Sequence, residues 1–71
     1  MVKIYGTPNC AFCDAAKSLA EALNLEYKYT NIMEDDEAFQ MFKDKGLKQV
    51  PQIWVKDNHI GGFTDFERLV K

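Results

Sequence analysis

The chain has 71 residues, 46% of them hydrophobic and 28% charged, and its formal net charge is −2. This composition is typical of an ordinary soluble domain and argues against intrinsic disorder, while the lack of a basic surplus argues against a nucleic-acid binder. We expect a single monomeric domain over residues 1–71, near the lower size limit for an unaided hydrophobic core. No apolar run is long enough to span a membrane, and the N-terminal apolar stretch is too short for a secretion signal, so we expect a cytoplasmic protein.

Strand and helix patterns alternate in the first half of the chain. Residues 2–5 predict a strand, which the turn-forming residues 6–9 end. Apolar residues then recur at helical spacing from residue 11 to residue 23, which predicts a helix that stops at Asn24. The predicted apolar side of this helix consists of Phe12, Ala16, Leu19 and Leu23. Alternating residues at 26–32 predict a second strand.

A second helix is predicted to begin at the acidic run of residues 34–37. Carboxylates are stabilised at the positive end of the helix dipole, so a solvated helix start is favoured over a ligand-binding role for this run. The helix is predicted to turn Ala38, Phe39 and Phe42 inward and to stop at Gly46.

The last part of the chain predicts a hairpin and a third helix. Residues 52–55 are the third strand, and residues 56–59 are a tight connection to a very short strand around Ile60. Trp54 and His59 are expected to be structural. Residues 65–70 predict a helix with Thr64 as its N-cap and Glu67 completing a capping box.

The predicted elements follow the order β-α-β-α-β-β-α, which is an α/β pattern. A strand, a helix and a second strand in succession favour parallel strands joined by a right-handed crossover, whereas the final hairpin must be antiparallel. The simplest assembly is a four-stranded mixed sheet flanked by three helices, which is the thioredoxin-like arrangement in its minimal form.

The only two cysteines, Cys10 and Cys13, lie where the loop after the first strand becomes the first helix. The unpaired N–H groups and the dipole of a helix N-terminus stabilise a thiolate there. Cys13 follows one turn later, so its sulfur is within bonding distance of Cys10 and is partly covered by the helix. Such a pair attacks a disulfide, forms a mixed disulfide and then releases the product by internal attack.

Two other interpretations of the cysteine pair remain open. In the first, the pair is half of a zinc site, but zinc requires four ligands and the chain offers only one histidine and no further cysteine. Alternatively, both cysteines are buried and inert, which the strand-loop-helix context disfavours. A metal site is therefore not expected.

Val50 and Pro51 precede the third strand and allow two interpretations. A proline often opens a strand without any further role. If the bond is cis, the N–H and C=O of Val50 are left free to pair with an extended peptide, which allows a disulfide substrate to be held without reading its sequence.

Two adjacent glycines, Gly61 and Gly62, precede the third helix and permit a close backbone approach. The helix N-terminus beyond them offers N–H groups to a carboxylate, and Asp65 offers an anion to an ammonium group. Together these groups suit the α-amino-acid end of a γ-glutamyl group. The alternative is a glycine turn with an ordinary capping box.

Three segments together resemble the signatures of glutaredoxins, in the same order and at fitting spacing. They are CAFC at residues 10–13, QVPQI at residues 49–53 and HIGGFTDF at residues 59–66. The resemblance covers essentially the whole chain, and its third segment is the most specific because plain thioredoxins lack it.

This resemblance implies a glutathione-dependent disulfide reductase that donates hydrogen to ribonucleotide reductase. Glutathione is then the co-substrate, and no cofactor is tightly bound. By position, Cys10 attacks and Cys13 resolves, Val50 pairs its main chain with the cysteinyl part of glutathione, and Thr64 and Asp65 hold its γ-glutamyl end. The resemblance also implies a cis Val50–Pro51 bond. The implied glutathione-binding residues are Phe12, Gln49, Val50, Pro51, Thr64 and Asp65.

The chain departs from the family pattern near the cysteines, where Phe12 stands in place of the usual tyrosine. Ala11 replaces the usual proline, and Thr7 stands where many members have Lys or Arg. Asp14 brings a carboxylate that opposes thiolate formation, and Lys17 either offsets it or is merely solvated.

Two other functions compete with glutathione-dependent reduction. One is a redoxin of the same fold that thioredoxin reductase recycles, against which the segment from Gly61 to Asp65 argues. The other is an iron–sulfur carrier in which two protomers bridge a cluster. Members specialised for that role usually replace the second cysteine with serine, so the presence of Cys13 argues against it.

Overall fold

The computed structural model describes residues 1 to 71. The strands are β1 (Val2–Gly6), β2 (Tyr27–Asn31), β3 (Gln52–Val55) and β4 (Asn58–Gly61), and the helices are α1 (Ala11–Ala22), α2 (Asp36–Asp44) and α3 (Phe63–Val70). The predicted order of elements is confirmed. None of the helices is both long and apolar enough to cross a lipid bilayer.

The strands form one mixed sheet in the order β2-β1-β3-β4. β1 runs parallel to β2 and antiparallel to β3, so Ile4 lies opposite Tyr29 on one side and Ile53 on the other. β3 and β4 form the antiparallel hairpin. This topology confirms the predicted thioredoxin-like fold. It also brings the C-terminal ends of β1 and β2 together at the end of the sheet where α1 begins.

The apolar side chains form two clusters, one on each face of the sheet. Successive residues of a strand point to opposite faces, so Ile4 and Ile53 point toward α1 and α3, and Tyr5 points toward α2. The larger cluster consists of Val2, Ile4, Ala16, Ala20, Ile53 and Phe66. The smaller cluster, on the side of α2, consists of Ile32, Ala38 and Phe42. The larger cluster therefore anchors the helix that carries both cysteines.

The buried side of α1 differs from the predicted one. Cys13, Ala16 and Ala20 are buried, whereas Phe12 and Leu23 are 62% and 43% exposed. Small side chains let the helix lie close to the sheet, so the large apolar residues at its borders remain outside. The predicted end is confirmed, because Asn24 follows the helix with a φ of 55°, the left-handed conformation common after helix ends.

The start and end of α2 agree with the prediction, but one of its inward residues does not. Asp35 is the N-cap, and its carboxylate accepts a hydrogen bond of 3.0 Å from the Ala38 N–H. Ala38 and Phe42 are buried, whereas Phe39 is 46% exposed. Phe39 follows Ala38 directly and is rotated from it by about 100° around the helix axis, away from the sheet. Gly46 lies just beyond the C-cap with a φ of 68°.

The connection between β3 and β4 is shorter than predicted. Lys56 and Asp57, with φ values of 51° and 66°, form a two-residue turn of the kind that joins twisted antiparallel strands. Residues 58 and 59 therefore belong to β4 and not to the connection. The His59 ring stacks on Trp54 with their centroids 4.3 Å apart, so both side chains are structural.

The predicted N-cap of α3 is wrong. The helix begins at Phe63 with Gly62 as N-cap, two residues before the predicted start. The Asp65 carboxylate reaches back and accepts a hydrogen bond of 3.3 Å from the Gly62 N–H. Thr64 and Glu67 therefore form no capping box, because Thr64 already lies inside the first turn.

Candidate active site

Cys10 is the N-cap of α1, with the extended conformation that this position requires (φ −113°, ψ 109°). Its sulfur accepts a hydrogen bond of 3.1 Å from the Cys13 N–H. The sulfur thus takes the place of the usual capping oxygen, at the end of the helix where unpaired N–H groups and the dipole favour negative charge. This arrangement stabilises a thiolate when the pair is reduced.

Cys10 and Cys13 are joined by a disulfide, with their Cα atoms 5.2 Å apart. The two residues differ in accessibility, because Cys13 is 1% exposed whereas Cys10 is half-buried. A Cβ atom on Gly6 would lie 2.5 Å from the Cys13 sulfur, so the end of β1 closes over this sulfur. A disulfide substrate therefore reaches the Cys10 sulfur more readily than that of Cys13.

The charges beside the cysteines are paired with one another. The Lys17 ammonium lies 3.4 Å from the Asp14 carboxylate and 4.2 Å above the centre of the Tyr29 ring. Lys17 is thus held in place and partly neutralises the carboxylate that follows Cys13. Lys17 is therefore not merely solvated, although the carboxylate with which it pairs stays largely exposed.

The Val50–Pro51 bond is cis, as the family resemblance implied. Neither the N–H nor the C=O of Val50 forms a hydrogen bond within the chain. The Val50 side chain packs against the smaller cluster, which fixes the position of this segment. The main chain of Val50 therefore presents one donor and one acceptor to a ligand.

A cleft of about 260 Å³ lies between the start of α1, the segment before β3 and the start of α3. All of the sequence-predicted glutathione-binding residues line it, including Phe12, which lies between the two cysteines in the sequence. The lining residues are Phe12, Gln49, Val50, Pro51, Gln52, Gly62, Phe63, Thr64 and Asp65.

The end of the cleft formed by α3 offers N–H groups and one carboxylate. The N–H groups of Thr64 and Asp65 have no acceptor within the chain, as is usual in a first helical turn. The Asp65 carboxylate remains exposed, although one oxygen accepts the Gly62 N–H. This end of the cleft can therefore hold a carboxylate and an ammonium group side by side.

The set of predicted site residues omitted three cleft residues: Gln52, Gly62 and Phe63. The Phe63 ring lies 5.9 Å from the Phe12 ring, and the two form an apolar wall of the cleft. Gly62 lies close to the Pro51 carbonyl, 3.6 Å from the position of an added Cβ. Gly62 and Phe63 both belong to the segment from Gly61 to Asp65 that was singled out in the sequence. Their contacts with Pro51 and Phe12 could not be inferred, because these residues are distant in the sequence.

The structure contains no cluster of three or more His, Cys, Asp or Glu side chains that could hold a metal ion.

Comparison with known proteins gives one consistent result. A sequence model of the glutaredoxin family matches residues 2–60. Glutaredoxin 1 of Escherichia coli K12 is 41% identical, over 96% of this chain and 89% of the relative. The glutaredoxin of Haemophilus influenzae is 38% identical, over 99% and 90%.

Solved structures agree with the sequence comparison. Glutaredoxin 1 of Francisella tularensis superposes with a TM-score of 0.81 at 30% identity, covering 97% of this chain and 90% of that one. The Escherichia coli NrdH-redoxin, a glutaredoxin-like protein with a thioredoxin-like activity profile, has a TM-score of 0.82 at 26% identity, covering 96% and 92%. With its cysteine pair at the start of α1, the chain belongs to the glutaredoxin family of thiol–disulfide oxidoreductases.

Proposed function

We propose that this glutaredoxin reduces protein disulfides and glutathione mixed disulfides, with glutathione as its electron donor. The observation that carries the proposal is that Cys10 is more exposed than Cys13 and that both lie beside a cleft in which the N–H and C=O of Val50 have no partner within the chain. Ribonucleotide reductase is proposed as one protein substrate on the strength of the family resemblance. The reducing cytoplasm is the proposed compartment, since the cycle requires reduced glutathione.

In the proposed cycle the Cys10 thiolate attacks one sulfur of the substrate disulfide. A mixed disulfide forms, and the other substrate sulfur leaves as a thiolate. The Cys13 thiolate then attacks the Cys10 sulfur, which releases the second substrate thiol and forms the Cys10–Cys13 disulfide. Two molecules of glutathione restore the dithiol and are themselves joined as a disulfide.

Glutathione is proposed to lie along the cleft in an extended conformation. Its cysteinyl main chain pairs with the N–H and C=O of Val50, which have no partner within the chain. Its γ-glutamyl carboxylate accepts from the N–H groups at the start of α3, including that of Thr64, and its ammonium group faces Asp65. Phe12, Gln49 and Pro51 form the walls.

Two single substitutions test the assignment of the two sulfurs. We expect Cys10→Ser to abolish reduction of both a glutathionylated thiol and a protein disulfide, because no accessible nucleophile remains. We expect Cys13→Ser to retain the first activity and to impair the second, because the mixed disulfide with a protein then lacks an internal thiol. Comparable activity of the two variants on the glutathionylated thiol would contradict the assignment.

A redoxin recycled by thioredoxin reductase is the second candidate. One observation favours it: the cleft has no Lys, Arg or His to bind the second carboxylate of glutathione. The superposition on NrdH-redoxin, with a TM-score of 0.82, is as close as that on glutaredoxin 1 of Francisella tularensis and does not separate the two candidates. Turnover with glutathione and glutathione reductase, compared with turnover with thioredoxin reductase, separates the two. Activity with thioredoxin reductase alone would exclude the glutathione assignment.

A further inference from the structure

We propose that Tyr29 is a positioning residue for the reaction. Its hydroxyl fixes the loop before α1 and thereby keeps the Cys10 sulfur at the helix N-terminus. This inference rests on the proposed role of Cys10 as the nucleophile. Tyr29 belongs to β2 and lies outside the three signature segments from which the site was predicted.

The Tyr29 hydroxyl donates a hydrogen bond of 3.2 Å to the carbonyl oxygen of Thr7. Residues 7–9 connect β1 to Cys10 through a turn at Pro8 and Asn9, and no other well-aligned hydrogen bond reaches them. Pro8 has no N–H to donate, and Asn9 has a φ of 59°. The Tyr29 hydroxyl therefore supplies the only well-aligned hydrogen bond between this loop and a neighbouring strand.

The Tyr29 ring is itself held on two sides. An added Cβ on Gly6 would lie 3.2 Å from Tyr29 Cε1, so the ring packs against the end of β1. The Lys17 ammonium lies 4.2 Å from the ring centre and is anchored by Asp14. The hydroxyl consequently points at the Thr7 carbonyl without the freedom that an exposed tyrosine would have.

Loss of this hydroxyl should loosen residues 7–9 while leaving the helix in place, because α1 is anchored separately through the larger cluster. The Cys10 sulfur would then spend less time at the position where it accepts the Cys13 N–H. Since that position stabilises the thiolate, a smaller fraction of Cys10 would be reactive at neutral pH.

Tyr27 provides a matched control on the same strand and the same face of the sheet. Its hydroxyl donates a hydrogen bond of 3.1 Å to Glu21, near the other end of α1. Partial desolvation, together with this bond and the charge of Glu21, raises the pKa of Tyr27 above its usual value. Tyr27→Phe and Tyr29→Phe each remove one hydroxyl and one hydrogen bond, but only the second touches the loop.

The experiment measures the alkylation rate of Cys10 in the reduced protein as a function of pH, with mass spectrometry to locate the label. We expect Tyr29→Phe to react roughly fivefold more slowly near neutral pH, the effect of losing one modest hydrogen bond. We also expect the midpoint of its pH profile to move upward. Tyr27→Phe should retain the wild-type profile. If Tyr29 has a merely structural role, Tyr29→Phe lowers the free energy of unfolding, measured in urea, but the midpoint of the pH profile of Cys10 alkylation stays unchanged.

Each outcome has one meaning. If wild-type Cys10 reacts faster than a free cysteine peptide but Tyr29→Phe retains the wild-type profile, the role of Tyr29 is wrong and the proposed function stands. If wild-type Cys10 reacts no faster than the peptide, the proposed function fails first. If Tyr29→Phe does not fold, NMR measures how fast the Tyr29 hydroxyl proton of the wild-type protein exchanges with water. Exchange as fast as that of a hydroxyl without a hydrogen bond would overturn the inference.

Discussion

Gly6 shows how closely the resolving cysteine is enclosed. An added Cβ would lie 2.5 Å from the Cys13 sulfur and 3.2 Å from both Cys13 Cβ and Tyr29 Cε1. The first of these separations is too short for two non-bonded atoms, so the neighbouring side chains would have to move. The absence of a side chain at this position is therefore a requirement of the disulfide site.

We predict that Gly6→Ala lowers the free energy of unfolding by about 1–3 kcal/mol, as other overpacked cores do. Gly62→Ala is the control, because its nearest neighbour, the Pro51 carbonyl, would lie at an ordinary contact distance of 3.6 Å. Urea unfolding of the oxidised proteins measures both. Gly62 is also the N-cap of α3, where alanine is less favourable than glycine, so some loss is expected there as well. No loss of stability in Gly6→Ala would show that crowding at Cys13 is absent.

At this scale the short motif around the cysteines predicted that Cys10 lies at the start of a helix, and the family resemblance implied the cis bond before Pro51, which the residues alone had left open. The cap of α3 was not predicted correctly. Two overlapping caps are compatible with the segment from residue 62 to residue 67. The path of the chain out of β4 makes Gly62 the N-cap in place of Thr64, and the Asp65 side chain reaches back to the Gly62 N–H.

Among the elements, α2 stands apart because it alone covers its face of the sheet. Its start is stabilised by the Asp35 carboxylate, which accepts a hydrogen bond of 3.0 Å from the Ala38 N–H. Only a small cluster of buried residues holds this helix, so its cap contributes a larger share of its stability than a cap does on α1.

We expect Asp35→Ala to cost about 1 kcal/mol of stability, which corresponds to a fall in Tm of roughly 4–8 °C for a domain of this size. Asp36→Ala removes a charge from the same turn without removing a cap bond, and should cost about 0.3–0.5 kcal/mol. Thermal unfolding followed by circular dichroism tests this order. A larger effect at Asp36 would mean that charge outweighs the capping bond.

The helices illustrate what periodicity can and cannot provide. Apolar spacing located α1 and α2, but it assigned Phe12, Leu23 and Phe39 to the interior, where the structure leaves them exposed. Spacing alone treats every apolar residue as equally inward. Because α1 lies close to the sheet, only small residues such as alanine and cysteine fit on the side that contacts it. The distance between helix and sheet depends on tertiary packing and cannot be inferred from the spacing of apolar residues.

For the molecule as a whole, the order of the elements determined the topology. A right-handed crossover and an antiparallel hairpin leave few ways to arrange four strands, and the observed mixed sheet is one of them. The two apolar clusters on opposite faces follow from strand alternation in the same way. The cleft was harder to foresee, since it joins the starts of two helices with a loop far away in the sequence.

We predict that the reduced protein is a monomer of 8.2 kDa by sedimentation equilibrium. The exposed large hydrophobic side chains are spread over the N-terminus, all three helices and the loop after β2, and scattered residues of this kind are normal for a monomer. They are Met1, Phe12, Leu23, Met33, Phe39 and Leu69.

The same measurement after anaerobic incubation with iron, sulfide and glutathione addresses the iron–sulfur carrier. We expect the mass to remain that of a monomer and no visible absorbance to develop, because the chain keeps Cys13, which members specialised as iron–sulfur carriers usually replace with serine. A coloured dimer would instead favour the carrier function.

The location of Trp54 has a practical consequence for spectroscopy. It is the only tryptophan in the chain, and it packs edge-on against Tyr5 and flat against His59, on the face of the sheet away from α1. We therefore expect its fluorescence to change when this face of the sheet unfolds, and to change little when the sulfurs beyond the opposite face are oxidised or reduced.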